Sequence, residues 1–315
     1  MNVDFSTPSW LTLYLQLMGS VSLFLNIGTF YLIIWKSERI DNFRYFLLLF
    51  QILCTHSDLQ FNFLMQPLPL SPLLAGLCNG FLASYWEVWA HHLISFLTSS
   101  FVAQIECLVF CFIRKHQSIA KLSYRHVITD IWYVFGTIIA VFTPIFIGLL
   151  FNQSGMRREE QMDYTLPQYT SGFEKLQNFV IYSANPCLIA MLGLTFTGGL
   201  LCGTLFILLT LDMLKMLQEI QRKVSVVNFR RYKIAVTSLL AQFLSSFLLS
   251  VPLFFFLVLA ASQIENSNGT AKFLVAIMPF YSYLQIYGPA RQGPKARPGP
   301  ARPGPLQKII KNQFL

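Results

Sequence analysis

Charge is what this sequence has least of. Asp, Glu, Lys and Arg together supply 12% of its 315 residues, about half the share usual in a soluble domain. Such a composition excludes an intrinsically disordered chain, which is rich in charge and poor in apolar residues. Six cysteines are too few for a disulfide scaffold. Histidine is rarer still, with five residues ending at His126, so nothing in the later part of the chain can complete a histidine metal site. HExxH, GxSxG and phosphate-loop patterns are absent. Neither an enzyme nor a bound metal or cofactor is expected.

Apolar residues are what the chain has in excess: 54% of it, with thirty phenylalanines, more than a soluble core of this size could hide. They gather into blocks of about the 17–25 residues that a helix needs to cross a bilayer. The blocks run near Leu11–Trp35, Tyr45–Leu68, Val88–Ile113, Val127–Phe151, Cys187–Leu211, Ile234–Ser262 and, shorter, Phe273–Tyr287. They lack the alternation of barrel strands, so helices are the expected spanning structure. The first block has no basic residue before it and is too long for the core of a cleaved signal. The fold expected is all-α, a seven-transmembrane helix bundle over residues 1–287, followed by a tail over 288–315.

Lysine and arginine orient the bundle. One set of faces holds Lys36, Arg39 and Arg44, then Arg114, Lys115, Lys121 and Arg125, then six from Lys215 to Lys233 and six more from Arg291 to Lys311. The other holds only Arg157, Arg158, Lys175 and Lys272. The amino terminus is therefore expected outside and the carboxyl terminus inside. The net charge of +9 records this sorting and is no nucleic-acid footprint. Both glycosylation sequons, at Asn152 and Asn268, fall in loops expected outside.

Several residues stand out within this frame. Cys78 and Cys187 are the two cysteines on the outer, oxidising side, and either pair or remain as separate thiols. Ionisable groups at membrane depth cost roughly 2.5–3.5 kcal/mol each on insertion scales. Here they are His56 and Asp58 in the second span, and Glu87, His91, His92 and Glu106 in or at the third. Asp58, halfway along its span, suits an ion, a proton or a hydrogen bond between helices, and so a structural or switching role, with ligand contact as the alternative. Trp86, Glu87, Trp89, His91 and His92 cluster at the outer end of span three, either as ligand contacts or as an interfacial belt. Pro144 and Pro252 are expected to kink spans four and six. Gly199 and Gly203 form a small-xxx-small pair in span five.

On the inner side, span three ends in Arg114-Lys115-His116, and span five continues with Leu211, Leu214, Leu217 and Ile220 read as one apolar stripe. A basic amphipathic extension of that kind suits lipid headgroups or a partner helix. Gly288–Pro305 is dense in proline, glycine and arginine without a collagen period. It reads as an extended basic segment, either a lipid-attracted tail or the product of a mis-joined final exon.

Some runs are more specific. They include Ile40-Asp41-Asn42-Phe43-Arg44-Tyr45, Cys54-Thr55-His56-Ser57-Asp58, Met65-Gln66-Pro67-Leu68-Pro69-Leu70 and Ala75-Gly76-Leu77-Cys78-Asn79-Gly80-Phe81. Arg114-Lys115-His116-Gln117, Leu211-Asp212-Met213-Leu214-Lys215-Met216-Leu217 and Ser238-Leu239-Leu240-Ala241-Gln242-Phe243 follow in order. Together these resemble the nematode serpentine chemoreceptors, most closely serpentine receptor class I, with class H as a near relative. The resemblance implies a G-protein-coupled receptor in the plasma membrane of sensory neurons or their cilia. It also implies a small-molecule odorant or water-soluble ligand and a heterotrimeric G protein as partner. Arg114 is similar to the arginine that ends helix three in the larger receptor class, although Ile113 replaces the usual acidic neighbour. Asp58 is similar in depth to that class's mid-helix-two aspartate. The inner contacts for the G protein are expected from Arg114, Lys115, His116, Lys215, Arg222 and Lys223. The alternatives are a seven-span ligand-gated channel or transporter, or a truncated, non-signalling receptor that only dimerises with a full-length one; a homo- or heterodimer is left open as a further partner.

Overall fold

The computed structural model describes residues 8–36, 43–71, 73–122, 128–164, 173, 176, 178–183, 185–221, 226–262 and 269–279. Its helices are α1 (Ser9–Tyr31), α2 (Phe43–Leu59), α3 (Phe81–Ser84), α4 (Ala90–Leu122), α5 (Asp130–Gln153), α6 (Arg158–Tyr164), α7 (Pro186–Ile220), α8 (Val226–Ser262) and α9 (Gly269–Pro279). A π turn prolongs α1 to Lys36, and another prolongs α2 to Met65. Four of the described helices, within Ser9–Trp35, Ala90–Lys121, Ile131–Gln153 and Pro186–Ile220, are long and apolar enough to cross a membrane. α4 runs on past Ile113 to Leu122, and α7 continues through Leu211 to Ile220.

Pro144 interrupts α5 without ending it. Its ring cannot donate to the carbonyl one turn back, and α4 lends polar contacts to the same stretch. Ser99 Oγ donates to the Pro144 carbonyl at 2.8 Å and Ser95 Oγ to the Gly148 carbonyl at 2.9 Å. Gly148 permits the approach, since a Cβ there would lie 3.3 Å from that of Ser99. Gly199 and Gly203 do nothing comparable: a Cβ on either meets nothing within 4 Å.

To this helical bundle the structure adds a sheet that the sequence does not announce. β1 (Pro67–Pro69), β2 (Ala75–Cys78) and β3 (Phe179–Ile181) pair antiparallel in that order, with Leu68 opposite Leu77 and Gly76 opposite Val180. The strands are too short to show a period, and two of the three β1 residues are prolines, which seldom mark strands away from an edge. The sheet lies against the end of the bundle where α1 and α4 begin, the end expected outside. Leu68, Leu77 and Val180 are buried with Leu11 and Leu15 of α1, Leu93 and Leu97 of α4 and Val275 of α9. Tyr14 adds a hydrogen bond from its hydroxyl to the Ala276 carbonyl at 2.8 Å.

A second core fills the opposite end. Phe50, Leu108, Phe112, Met213, Met216, Ile220 and Leu239 are buried together there. Phe206 of α7 meets Phe112 of α4 edge-on at 4.0 Å and stacks on Phe243 of α8 at 3.5 Å. Lipid is as apolar as these side chains, so close packing rather than exclusion of water holds the helices together.

Candidate functional site

The outer cluster begins at Trp86 and Glu87, both exposed beyond the start of α4. Glu87 has φ 51°, a left-handed conformation that costs a non-glycine residue roughly 1–2 kcal/mol. Such strain persists only where neighbours enforce it. Here Val88 N–H reaches the Leu82 carbonyl at 3.0 Å, and Asn178 Nδ2 donates to the Val88 carbonyl at 2.6 Å. Asn178 also caps α4 from a distant loop, its Oδ1 accepting from Ala90 N–H at 2.7 Å. The indole N–H of Trp89 donates to the Phe179 carbonyl in β3 at 3.2 Å.

His91 is buried and stacks on Phe151. Its Nε2 lies 3.1 Å from the Asn152 carbonyl and its Nδ1 3.1 Å from the Tyr182 hydroxyl. A carbonyl only accepts, so Nε2 carries the proton and Nδ1 of the neutral ring accepts from the phenol. Burial, and after it the nearby Cys78 thiol, pushes the Tyr182 hydroxyl well above its ordinary value, which keeps the phenol a donor. Thus His91 and Trp89 serve mainly to fasten α4 to β3 and α5. Trp86, Glu87 and His92 remain exposed at the rim.

Two further sites noted in the sequence lie at this end. Cys78 and Cys187 are not bridged: Cys78 is buried in β2, where burial raises its thiol's pKa, and Cys187 sits half-buried in the first turn of α7. Asn152 of the first sequon is exposed. Asn152 stands in the last turn of α5 with its Oδ1 on His92 Nδ1 at 2.9 Å. Ser154 is buried, its hydroxyl donating to the Phe151 carbonyl at 2.6 Å. Asn268 lies outside the described residues.

At mid-depth Asp58 accepts from Ser22 Oγ at 2.7 Å and from Asn26 Nδ2 at 3.1 Å. Gln51 Nε2 in turn donates to Asn26 Oδ1. Ser22, Asn26 and Gln51 are all buried. The carboxylate is therefore embedded in a polar seam between α1 and α2. Sequence reasoning singled out Asp58 but missed its partners, Ser22 and Asn26, which stand one helical turn apart in a span that also carries Thr12, Gln16, Ser20 and Thr29. Asn26→Leu is expected to destabilise the protein by about 1–3 kcal/mol by stranding buried polar groups. A lower melting temperature of the purified full chain in detergent checks this; an unchanged one would contradict it.

At the opposite end, expected inside, the expected contact residues diverge. Lys115 is buried rather than presented, its ammonium over the rings of Phe43 (5.2 Å) and Tyr232 (4.9 Å). His116 Nε2 pairs with Asp212 Oδ2 at 2.8 Å, joining α4 to α7. Arg114 is exposed and turns towards α2 and α5 instead, over Phe46 at 5.0 Å and Tyr133 at 4.5 Å. Lys215 is exposed, whereas Arg222, Lys223 and residues 288–315 lie outside the described residues.

The stripe on α7 is corrected as well. Leu211 and Leu214 are exposed, and the buried set is Met213, Met216, Leu217 and Ile220. A repeat of three residues drifts about 60° per step around a helix of 3.6 residues per turn, so it cannot hold one face. The buried set follows the i, i+3, i+4, i+7 rule.

The family described as serpentine type 7TM GPCR chemoreceptor Sri matches residues 1–287. Among solved structures, the crystal structure of squid rhodopsin superposes with a TM-score of 0.53. The match covers 90% of this chain and 82% of that one at 11% sequence identity, a likeness in fold alone. No curated protein matches the chain in sequence.

Proposed function

The chain belongs to the serpentine type 7TM GPCR chemoreceptor Sri family, and on that premise we propose that it is a chemosensory receptor that binds a small environmental molecule and activates a heterotrimeric G protein. Its place would be the plasma membrane of sensory neurons or their cilia, with the amino terminus outside.

The observation that carries the mechanism is the closed inner end. Met213, Met216 and Ile220 of α7 are buried against Ile119 of α4 and Val236 and Leu239 of α8. The His116–Asp212 pair and the enclosed Lys115 lie at the same end. A G protein could reach between these helices only after they part, so this arrangement is the resting state. A ligand that favours the parted state shifts the balance between the two. Its contacts are assigned to the rim, where Trp86 and His92 are exposed and Glu87 is strained. Asp58 would couple the two ends through the α1–α2 seam. Lys215, with Arg222 and Lys223, would meet the G protein.

Cells expressing the full chain, presented with a panel of volatile and water-soluble chemicals, test the reading. The expected result is a dose-dependent response that disappears when G proteins are inactivated. A current that survives their inactivation would mark a ligand-gated channel, and saturable solute uptake a transporter.

A further inference from the structure

A cleft of about 330 Å³ opens between α2, α4 and α5, on the side of α4 away from the His116–Asp212 pair. Arg114 forms one wall, flanked by the rings of Phe46 and Tyr133. No described carboxylate comes within ion-pair reach of its guanidinium. The remaining wall is Phe110, Val134, Thr137 and Ile138, apolar but for the Thr137 hydroxyl, which donates to the Tyr133 carbonyl at 2.8 Å.

Exposure places this cleft at a membrane boundary. Val134 is 60% and Ile138 50% exposed, on a helix whose outer face continues through Ile145 and Leu149. Such a surface is stable only against lipid chains. Trp132 and Tyr45 are exposed beside it, at the level where aromatic side chains mark the headgroup zone. Arg44, half-buried near the start of α2 and stacked on Tyr45 at 4.7 Å, adds a second cation there.

We propose that this cleft binds the phosphate-bearing headgroup of an anionic phospholipid from the cytoplasmic leaflet. The fork of Arg114 meets the phosphate oxygens with two parallel hydrogen bonds, and the glycerol and upper acyl chains lie along Val134 and Ile138. A guanidinium facing an apolar, membrane-exposed wall is half of an amphiphile's complement. A soluble anion would leave that wall uncovered, and a soluble protein could not follow it into the bilayer. The site goes beyond receptor signalling and stands whether or not the chain couples to a G protein; only the choice of leaflet rests on the proposed orientation.

The test uses the purified full chain offered phosphatidylserine and phosphatidylcholine together, with retained lipid counted by native mass spectrometry. Wild-type protein is expected to retain phosphatidylserine in preference. Arg114→Gln should weaken that retention about tenfold, the loss of directed, charge-assisted hydrogen bonds to the phosphate. Val134→Trp, which fills the cleft and keeps the charge, should weaken it as well and covers the case in which the arginine variant fails to fold. Lys121→Gln, an exposed lysine at the same end but outside the cleft, should leave it unchanged. Equal retention by wild type and Val134→Trp, or equal retention of phosphatidylcholine by wild type, would overturn the proposal. No ligand or G protein takes part, so failure here is separable from failure of the receptor reading.

Discussion

Asp212→Asn is expected to raise ligand-independent G-protein activation about tenfold, a change of roughly 1.4 kcal/mol in the balance of states. Asp212 Oδ2 meets His116 Nε2 at 2.8 Å, across the inner ends of α4 and α7. A hydrogen bond to a charged group is worth about 1.5–3 kcal/mol net. The lower end applies, because the Asp212 side chain is 39% exposed and partly screened by solvent. Parting the helices gives up this contact, so the open state gains when it is already absent. A resting receptor holds the open state at roughly 0.1–10%, which leaves room for a tenfold rise. His116→Ala should reproduce the effect, and the double variant should add little to either single one. Basal nucleotide exchange at matched surface amounts measures it; an unchanged basal rate would contradict the resting-state assignment.

Gly80→Ala is expected to remove nearly all folded receptor from the cell surface. A Cβ at Gly80 would collide with the backbone of Leu64 and Met65, where the π turn ends α2. Gly80 N–H donates to the Met65 carbonyl at 2.9 Å and Asn79 N–H to that of Gln66 at 3.3 Å. These bonds draw the end of β2 back under α2, and backbone cannot yield as a flexible side chain can. Overpacking of this kind costs about 1–3 kcal/mol or more, a large part of a protein's marginal stability. Gly199→Ala and Gly203→Ala are the controls. Neither Cβ meets anything, so both should reach the surface at wild-type levels. Surface labelling of epitope-tagged full chains checks all three, and a normal surface amount of Gly80→Ala would refute the close approach.

The helices were legible because a bilayer imposes one long apolar run per crossing, and composition alone exposes such runs. Azimuth was not legible. Successive residues on a helix point about 100° apart, so Arg114, Lys115 and His116 read as one basic patch yet face three different surroundings. Arg114 lies over Phe46 and Tyr133, Lys115 over Phe43 and Tyr232, and His116 against Asp212. Which neighbour each one finds depends on how the bundle assembles, and that is not written locally.

The outer end shows the same limit. Trp89 and His91 have the composition of a ligand site, but β3 and Tyr182, some ninety residues away, take up their hydrogen-bonding groups. The sheet could not be foreseen from strands of three and four residues. Asp58 was legible by depth, since a mid-span carboxylate needs partners; that Ser22, Asn26 and Gln51 supply them follows only once α1 and α2 are seen side by side.

The most direct measurement is nucleotide exchange on a purified heterotrimeric G protein, reconstituted with the full chain in lipid nanodiscs and exposed to chemicals active in the cell assay. A chemosensory receptor predicts exchange that rises with ligand concentration and saturates, and that is absent without the chain. A chemical that evokes a cellular response through this chain yet leaves exchange at its basal rate would contradict the account.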